Sequence, residues 1–220
     1  MSDKSRRNFL KKSVLTGIAG TLPIAGLNAA QNSTTTVEQE KKTSGTITLL
    51  QTTDVHCQIH SHDELFWENN ELVFRKTGGY AHMATLINEI RKENPNTITI
   101  DTGDMFQGSE LSDKTQGDAL VPILNAIDYD IYTPGNWEVI YYKKKMQKLL
   151  GGLNAPKVCA NMFHDKGDGT PGESIFQPYQ TFTKLGVKIG FLGYTDHLVP
   201  RRQPPALSKG IVYTEPVENI

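Results

Sequence analysis

The period of the hydrophobic positions changes several times along the chain, and each change marks an element. Residues 46–52 form a short β-branched and aliphatic run that reads as a strand. A loop rich in histidine and acidic residues follows to about Asn70, with residues 71–74 as a short hairpin piece. From Gly79 to Glu93, Ala81, Ala84, Leu86, Ile87 and Ile90 recur near helical spacing, and Asn94-Pro95 stops the run. Residues 97–100 read as a second strand, and residues 118–127 as a helix with Asp118 as a possible cap. A third strand at 131–133 is cut by Pro134-Gly135, and a helix over 138–150 ends at Gly151-Gly152. Residues 157–160 read as a fourth strand, and 181–184 with 187–192 as a hairpin around Leu185-Gly186. This β-α-β-α-β-α-β order with a terminal hairpin argues for an α/β or α+β fold, a layered sheet with helices on its faces.

The first residues follow a different logic. Ser5-Arg6-Arg7-Asn8-Phe9-Leu10-Lys11 precedes a weakly apolar stretch to Ala30, too short and too interrupted for a spanning helix. Residues 1–30 therefore read as a twin-arginine export signal. Residues 31–45, rich in Thr, Ser, Gln and Lys, read as a flexible linker. The expected location is periplasmic or extracellular, with no stable membrane anchor.

Composition narrows the function. Among 220 residues, 23 Lys and Arg nearly balance 24 Asp and Glu, which speaks against a strongly basic nucleic-acid binder. Cys57 and Cys159 form no Cys-x-x-Cys, so zinc ribbons and thioredoxin-type sites are out. In an oxidising compartment the two could pair, or both could be buried and free. The Lys143–Lys148 run reads as a solvated helix face, and the Gly-rich stretch at 167–172 as a surface turn.

Chemistry gathers at three strand ends. Asp54 and His56 stand two apart in what reads as an extended segment, so both side chains leave one face, a spacing that can hold a metal ion. Gly103 lets the chain turn after the second strand and presents Asp104, a carboxylate able to bridge two metals. Asn136 follows the third strand and offers a neutral amide oxygen, or caps the next helix. All three lie at carboxyl ends of successive strands, where open α/β sheets place their sites.

The ordered set Asp54-x-His56, Gly103-Asp104 and Gly135-Asn136-x-Glu138 resembles the calcineurin-like metallophosphoesterases. The fuller strings Thr53-Asp54-Val55-His56-Cys57-Gln58-Ile59-His60 and Gly103-Asp104-Met105-Phe106-Gln107-Gly108-Ser109 resemble their 5′-nucleotidase branch. The resemblance implies a β-sandwich flanked by helices, with a two-metal site at its end. In that arrangement Asp54 and His56 hold the first divalent ion, Asp104 bridges both, and Asn136 holds the second. The ions would be Mn, Zn, Fe or similar. Asp101 and Gln107 would support the ligands from behind. A metal-activated water would attack the phosphorus of a small phosphorylated substrate, a nucleotide. Residues 46–220 would be the N-terminal part of this domain.

Two departures stand out. Most of the family carries a His after the motif Asn, contacting phosphate and helping the leaving group; here that catalytic position is Trp137, whose indole has one N–H donor and no proton to give near neutral pH. A Trp there resembles the thiosulfohydrolases, although those usually carry His at the position of Asn136. The family's downstream Gly-His-x-His is absent, and neither His60 nor His197 matches its pattern. The domain is thus expected to be incomplete at its C-terminus, with residue 220 a truncation point. Three functions remain open: a 5′-nucleotidase-like hydrolase, a sulfate or thiosulfonate hydrolase, and a metal-binding but inactive fragment.

Overall fold

The computed structural model describes residues 45–219. The expected export signal, and the linker up to residue 44, lie outside the described residues. No described helix is long and apolar enough to cross a membrane.

Strands β1 (Thr48–Thr52), β4 (Thr97–Asp101) and β5 (Ile131–Tyr132) form a parallel sheet in the order β1-β4-β5. The register pairs Thr52 with Asp101, and Asp101 with Tyr132, so the three strands end side by side. The central strand β4 is covered on both faces, which is why its sequence reads as a near-continuous run of Thr and Ile. Helices α1 (Tyr80–Glu93), α2 (Glu110–Thr115), α3 (Leu120–Ile127) and α4 (Tyr142–Gly151) follow these strands. Ile87, Met105, Phe106, Leu120, Leu124, Tyr132, Met146, Leu149 and Leu150 build the core that carries the strand ends.

A second, antiparallel sheet has the order β10-β6-β7, from Ile211–Tyr213, Met162–Asp165 and Pro171–Ser174. The hairpin of β8 (Tyr179–Lys184) and β9 (Val187–Leu192) turns at Leu185-Gly186, both left-handed, as expected for a two-residue connection. The short helix α5 (Val199–Arg202) precedes β10. The result is the mixed α/β fold expected from the element order.

Several expectations need correction. The loop before Asn70 contains a full strand: β2 (His62–Glu68) pairs along its length with β3 (Glu71–Thr77) across a left-handed Asn69-Asn70 turn. Most of its side chains are solvent-facing, so no apolar alternation announced it. Asp118 does not cap a helix; it pairs with Lys145 at 2.7 Å and Lys148 at 3.3 Å, and α3 begins at Leu120. Those lysines, with Lys143 bonded to the Gly210 carbonyl, show that the basic run is partly a docking face. The fourth strand at 157–160 makes only isolated bridges, because its amides change partner at almost every step, from Tyr132 to Gln177 to Gly193. The helix at 138–150 starts as a 3-10 turn at Glu138–Tyr141 and becomes α-helical only from Tyr142. Cys57 and Cys159 are both buried and free. Burial pushes the Cys159 thiol up to about 11.

Candidate metal centre

The site is built from the three loops leaving β1, β4 and β5. After β1 the chain does not stay extended. Asp54, His56 and Cys57 all take left-handed backbone angles, which costs energy for a residue with a Cβ and is typical of functional loops. Two backbone bonds enforce this path: Asp54 N–H to the Gly103 carbonyl at 3.0 Å, and His56 N–H to the Asp104 carbonyl at 3.1 Å. The two side chains therefore converge through a bound turn, not through strand periodicity.

The second and third loops meet at two glycines. A Cβ on Gly103 would lie 2.0 Å from the Gly135 nitrogen, and a Cβ on Gly135 would lie 2.3 Å from Asp104 Oδ1. Neither position has room for a side chain. The close approach lets the Trp137 backbone N–H donate to Asp104 Oδ1 at 2.7 Å. Asp104 is itself left-handed and only 6% exposed.

Asp54, His56 and Asp104 place one ligating atom each within 4.8 Å of one another, the one such cluster of three or more His, Cys, Asp or Glu among the described residues. His56 Nε2 lies 3.7 Å from Asp54 Oδ1, and His56 Nδ1 lies 2.8 Å from Gln107 Nε2. Burial pushes the Asp104 carboxyl up, and the nearby Asp54 adds to this. A family model of the calcineurin-like phosphoesterases matches residues 47–206.

The chain belongs to the calcineurin-like phosphoesterases.

The 5′-nucleotidase of Bos taurus is 28% identical over 157 residues, which are 70% of this chain and 27% of that protein. Two solved structures share the fold at a TM-score of 0.68. One is the NAD nucleotidase of Haemophilus influenzae, 24% identical, covering 79% of this chain and 30% of its own. The other is a sulfate thiohydrolase of Thermus thermophilus, 17% identical, covering 80% and 40%. The chain spans less than a third of the length of the curated relatives it matches first.

Calcineurin-like phosphoesterases use divalent metals, and the residues present fit one. Two carboxylates and an imidazole are a donor set for hard to borderline cations. A cation among them would offset the burial, and next the Asp54 charge, that raise Asp104, because a bound ion reverses the local charge balance. For His56 to offer Nε2, its proton must sit on Nδ1. Gln107 then accepts with its amide oxygen, which a half-turn of the amide provides.

Asn136 lies in the third loop beside Trp137, and its carbonyl accepts from Gln203 Nε2 at 2.7 Å. Its side chain caps no helix: the 3-10 turn follows Trp137 and has no side-chain cap. Asp101 is wholly buried below the cluster and accepts from Thr52 Oγ1 at 2.5 Å and from the Gly103 N–H at 2.8 Å. Burial pushes its carboxyl up to about 7 against those two bonds, with Asp54 and Asp104 adding to the rise. His60 and His197 stand outside the cluster.

One residue was read only as part of a motif. Glu138 is 1% exposed, and its Oε1 accepts from Tyr132 Oη at 2.6 Å and from the Met105 N–H at 3.2 Å. Burial first, and Asp104 next, push it up to about 8. It anchors the residue after Asp104. An acid opening a predicted helix carries no sign of this, since Glu is ordinary in a first turn.

Proposed function

We propose that the chain is the metal-binding part of an exported phosphoester hydrolase of the 5′-nucleotidase type, acting on a small phosphorylated substrate such as a nucleotide. The observation that carries this reading is the convergence of Asp54, His56 and Asp104 at the carboxyl edge of the parallel sheet. In this reading Asp54, His56 and Asp104 hold one divalent ion, and Asp104 and Asn136 face a second. When bound, such ions lower the pKa of water and neutralise charge on a phosphoryl group. Gln107 sets the ring of His56. The Trp137 N–H holds one oxygen of Asp104 and fixes the direction of the other. Asp101 stiffens the turn between β4 and Asp104 through the Gly103 N–H. The Trp137 indole can donate a hydrogen bond or stack, but supplies no acid for the leaving group. The paired arginines and the apolar stretch after them support export through the twin-arginine route.

The test is manganese-dependent release of phosphate from AMP, lost in Asp104→Ala. Trp137 favours a second reading, hydrolysis of a sulfate or thiosulfonate bond. Turnover of a thiosulfate conjugate without phosphate release from AMP would select that one. Metal binding with no turnover of either substrate would leave a binding role for these 220 residues.

A further inference from the structure

The peptide group joining Asn136 to Trp137 is gripped at both ends. Its N–H donates to Asp104 Oδ1 at 2.7 Å, and its carbonyl accepts from Gln203 Nε2 at 2.7 Å. Gln203 lies 67 residues further along the chain and is 7% exposed. Burying an amide is costly unless it is bonded; the Gln203 side chain is held through its Nε2 on this carbonyl, while its buried Oε1 has no partner among the described residues.

The backbone that carries Gln203 is tied down in turn. Its own N–H bonds the Val199 carbonyl at 3.1 Å, closing α5, and Val199 is wholly buried. The Leu198 N–H bonds Asp196 Oδ1 at 2.9 Å. At the start of this segment, Asn161 bonds Thr195 twice: its Oδ1 accepts from the Thr195 N–H at 3.0 Å, and its Nδ2 donates to the Thr195 carbonyl at 2.9 Å. Asn161 is fully buried and also donates to the Thr214 carbonyl at 3.0 Å. Residues 195–203 thus form a bracket fixed at one end by Asn161 and reaching the site loop at the other through Gln203.

We propose that Gln203 is a positioning residue for the metal centre, which it serves by setting the plane of the Asn136–Trp137 peptide. That plane determines two things at once: the direction of the Asn136 side chain, and the aim of the Trp137 N–H at Asp104. A donor on the carbonyl also polarises the peptide and strengthens the N–H bond to the carboxylate. The inference rests on the reading of Asn136 and Asp104 as metal ligands.

The experiment is a calorimetric titration of the full chain with Mn²⁺ at 25 °C, for wild type, Gln203→Met, Asn136→Ala and the double variant. Met keeps the length of the side chain and removes the donor. The affinity is expected to fall about 10–100-fold in Gln203→Met, the usual cost of removing a group that orients a ligand. In the Asn136→Ala background the share of the loss carried by the Asn136 side chain should vanish, leaving a smaller loss passed through the Trp137 N–H to Asp104. A role confined to folding would lower the melting temperature without this non-additivity. Gln203→Asn, one methylene shorter, serves if Gln203→Met does not fold, and should show a smaller loss of the same kind. Wild-type affinity in the Gln203 variants, or losses that simply add to those of Asn136→Ala, would overturn the inference while leaving the ligand reading intact. Unchanged binding in Asn136→Ala would overturn the ligand reading, and the inference with it.

Discussion

Gly135→Ala probes the contact between the second and third loops with a single carbon. The added Cβ would stand 2.3 Å from Asp104 Oδ1, 2.8 Å from its backbone nitrogen and 2.9 Å from its Cγ, where ordinary contact begins at 3.4 Å. Gly135 is not in the left-handed region, so the alanine backbone itself is unstrained and the effect is steric alone. The carboxylate or the loop must retreat by about 1 Å. That retreat stretches the 2.7 Å bond from the Trp137 N–H, and a bond to a charged group is worth about 1.5–3 kcal/mol. Overpacking adds about 1–3 kcal/mol. A ligand displaced by 1 Å is also out of reach of an ion it should meet at about 2 Å. Affinity for Mn²⁺ should therefore fall by about 10- to 100-fold, since each 1.4 kcal/mol is a factor of ten and the overpacking cost falls on folding. The metal-free variant should stay folded, with a lowered melting temperature. Calorimetric titration against Mn²⁺ and thermal melting read the two effects separately. Wild-type affinity in Gly135→Ala would show that Asp104 does not need its present position to bind metal, and the reasoning would fail.

Two further outcomes follow from the buried groups. Asp101 titrates near 7 in the folded chain, above the ordinary 3.8, so the folded state holds the extra proton and metal-free stability falls as the pH rises from about 4 to about 7. The loss is at most about 4 kcal/mol, since each pH unit between those two values is worth about 1.36 kcal/mol, and Asp101→Asn should flatten it; parallel melting-temperature curves for the two proteins across pH 5 to 8 would contradict this. Cys57 and Cys159 are both wholly buried, so neither should react with a thiol reagent until denaturant is added, and rapid labelling of the native chain would refute the packing around them.

How far the sequence disclosed the molecule depended on what each residue faces. β4 could be read because both of its faces are covered, which leaves a short apolar and β-branched run. Of the β2–β3 hairpin only residues 71–74 could be read, and β2 was missed because Leu65, Trp67, Leu72 and Phe74 are exposed and the polar residues carry no alternation. The residues that meet in the candidate metal cluster were visible from their types and their place after strands, yet the local reason was misjudged: Asp54 and His56 converge in a left-handed turn bound to Gly103 and Asp104, not along an extended strand. Asp118 looked like a cap because nothing local shows that Lys145, 27 residues on, reaches it. Gln203 was invisible for the same reason at longer range: its role depends on one carbonyl brought near by the whole second half of the chain.

The central claim is that two strand-end loops, braced by a third through the Trp137 N–H, hold a divalent ion between Asp54, His56 and Asp104. The most direct measurement is an anomalous-difference map from crystals grown with Mn²⁺. The account predicts a peak within about 2.0–2.3 Å of a carboxylate oxygen of Asp54, a ring nitrogen of His56 and a carboxylate oxygen of Asp104. A map with no peak at these three residues, or with its ion bound elsewhere on the chain, would contradict it.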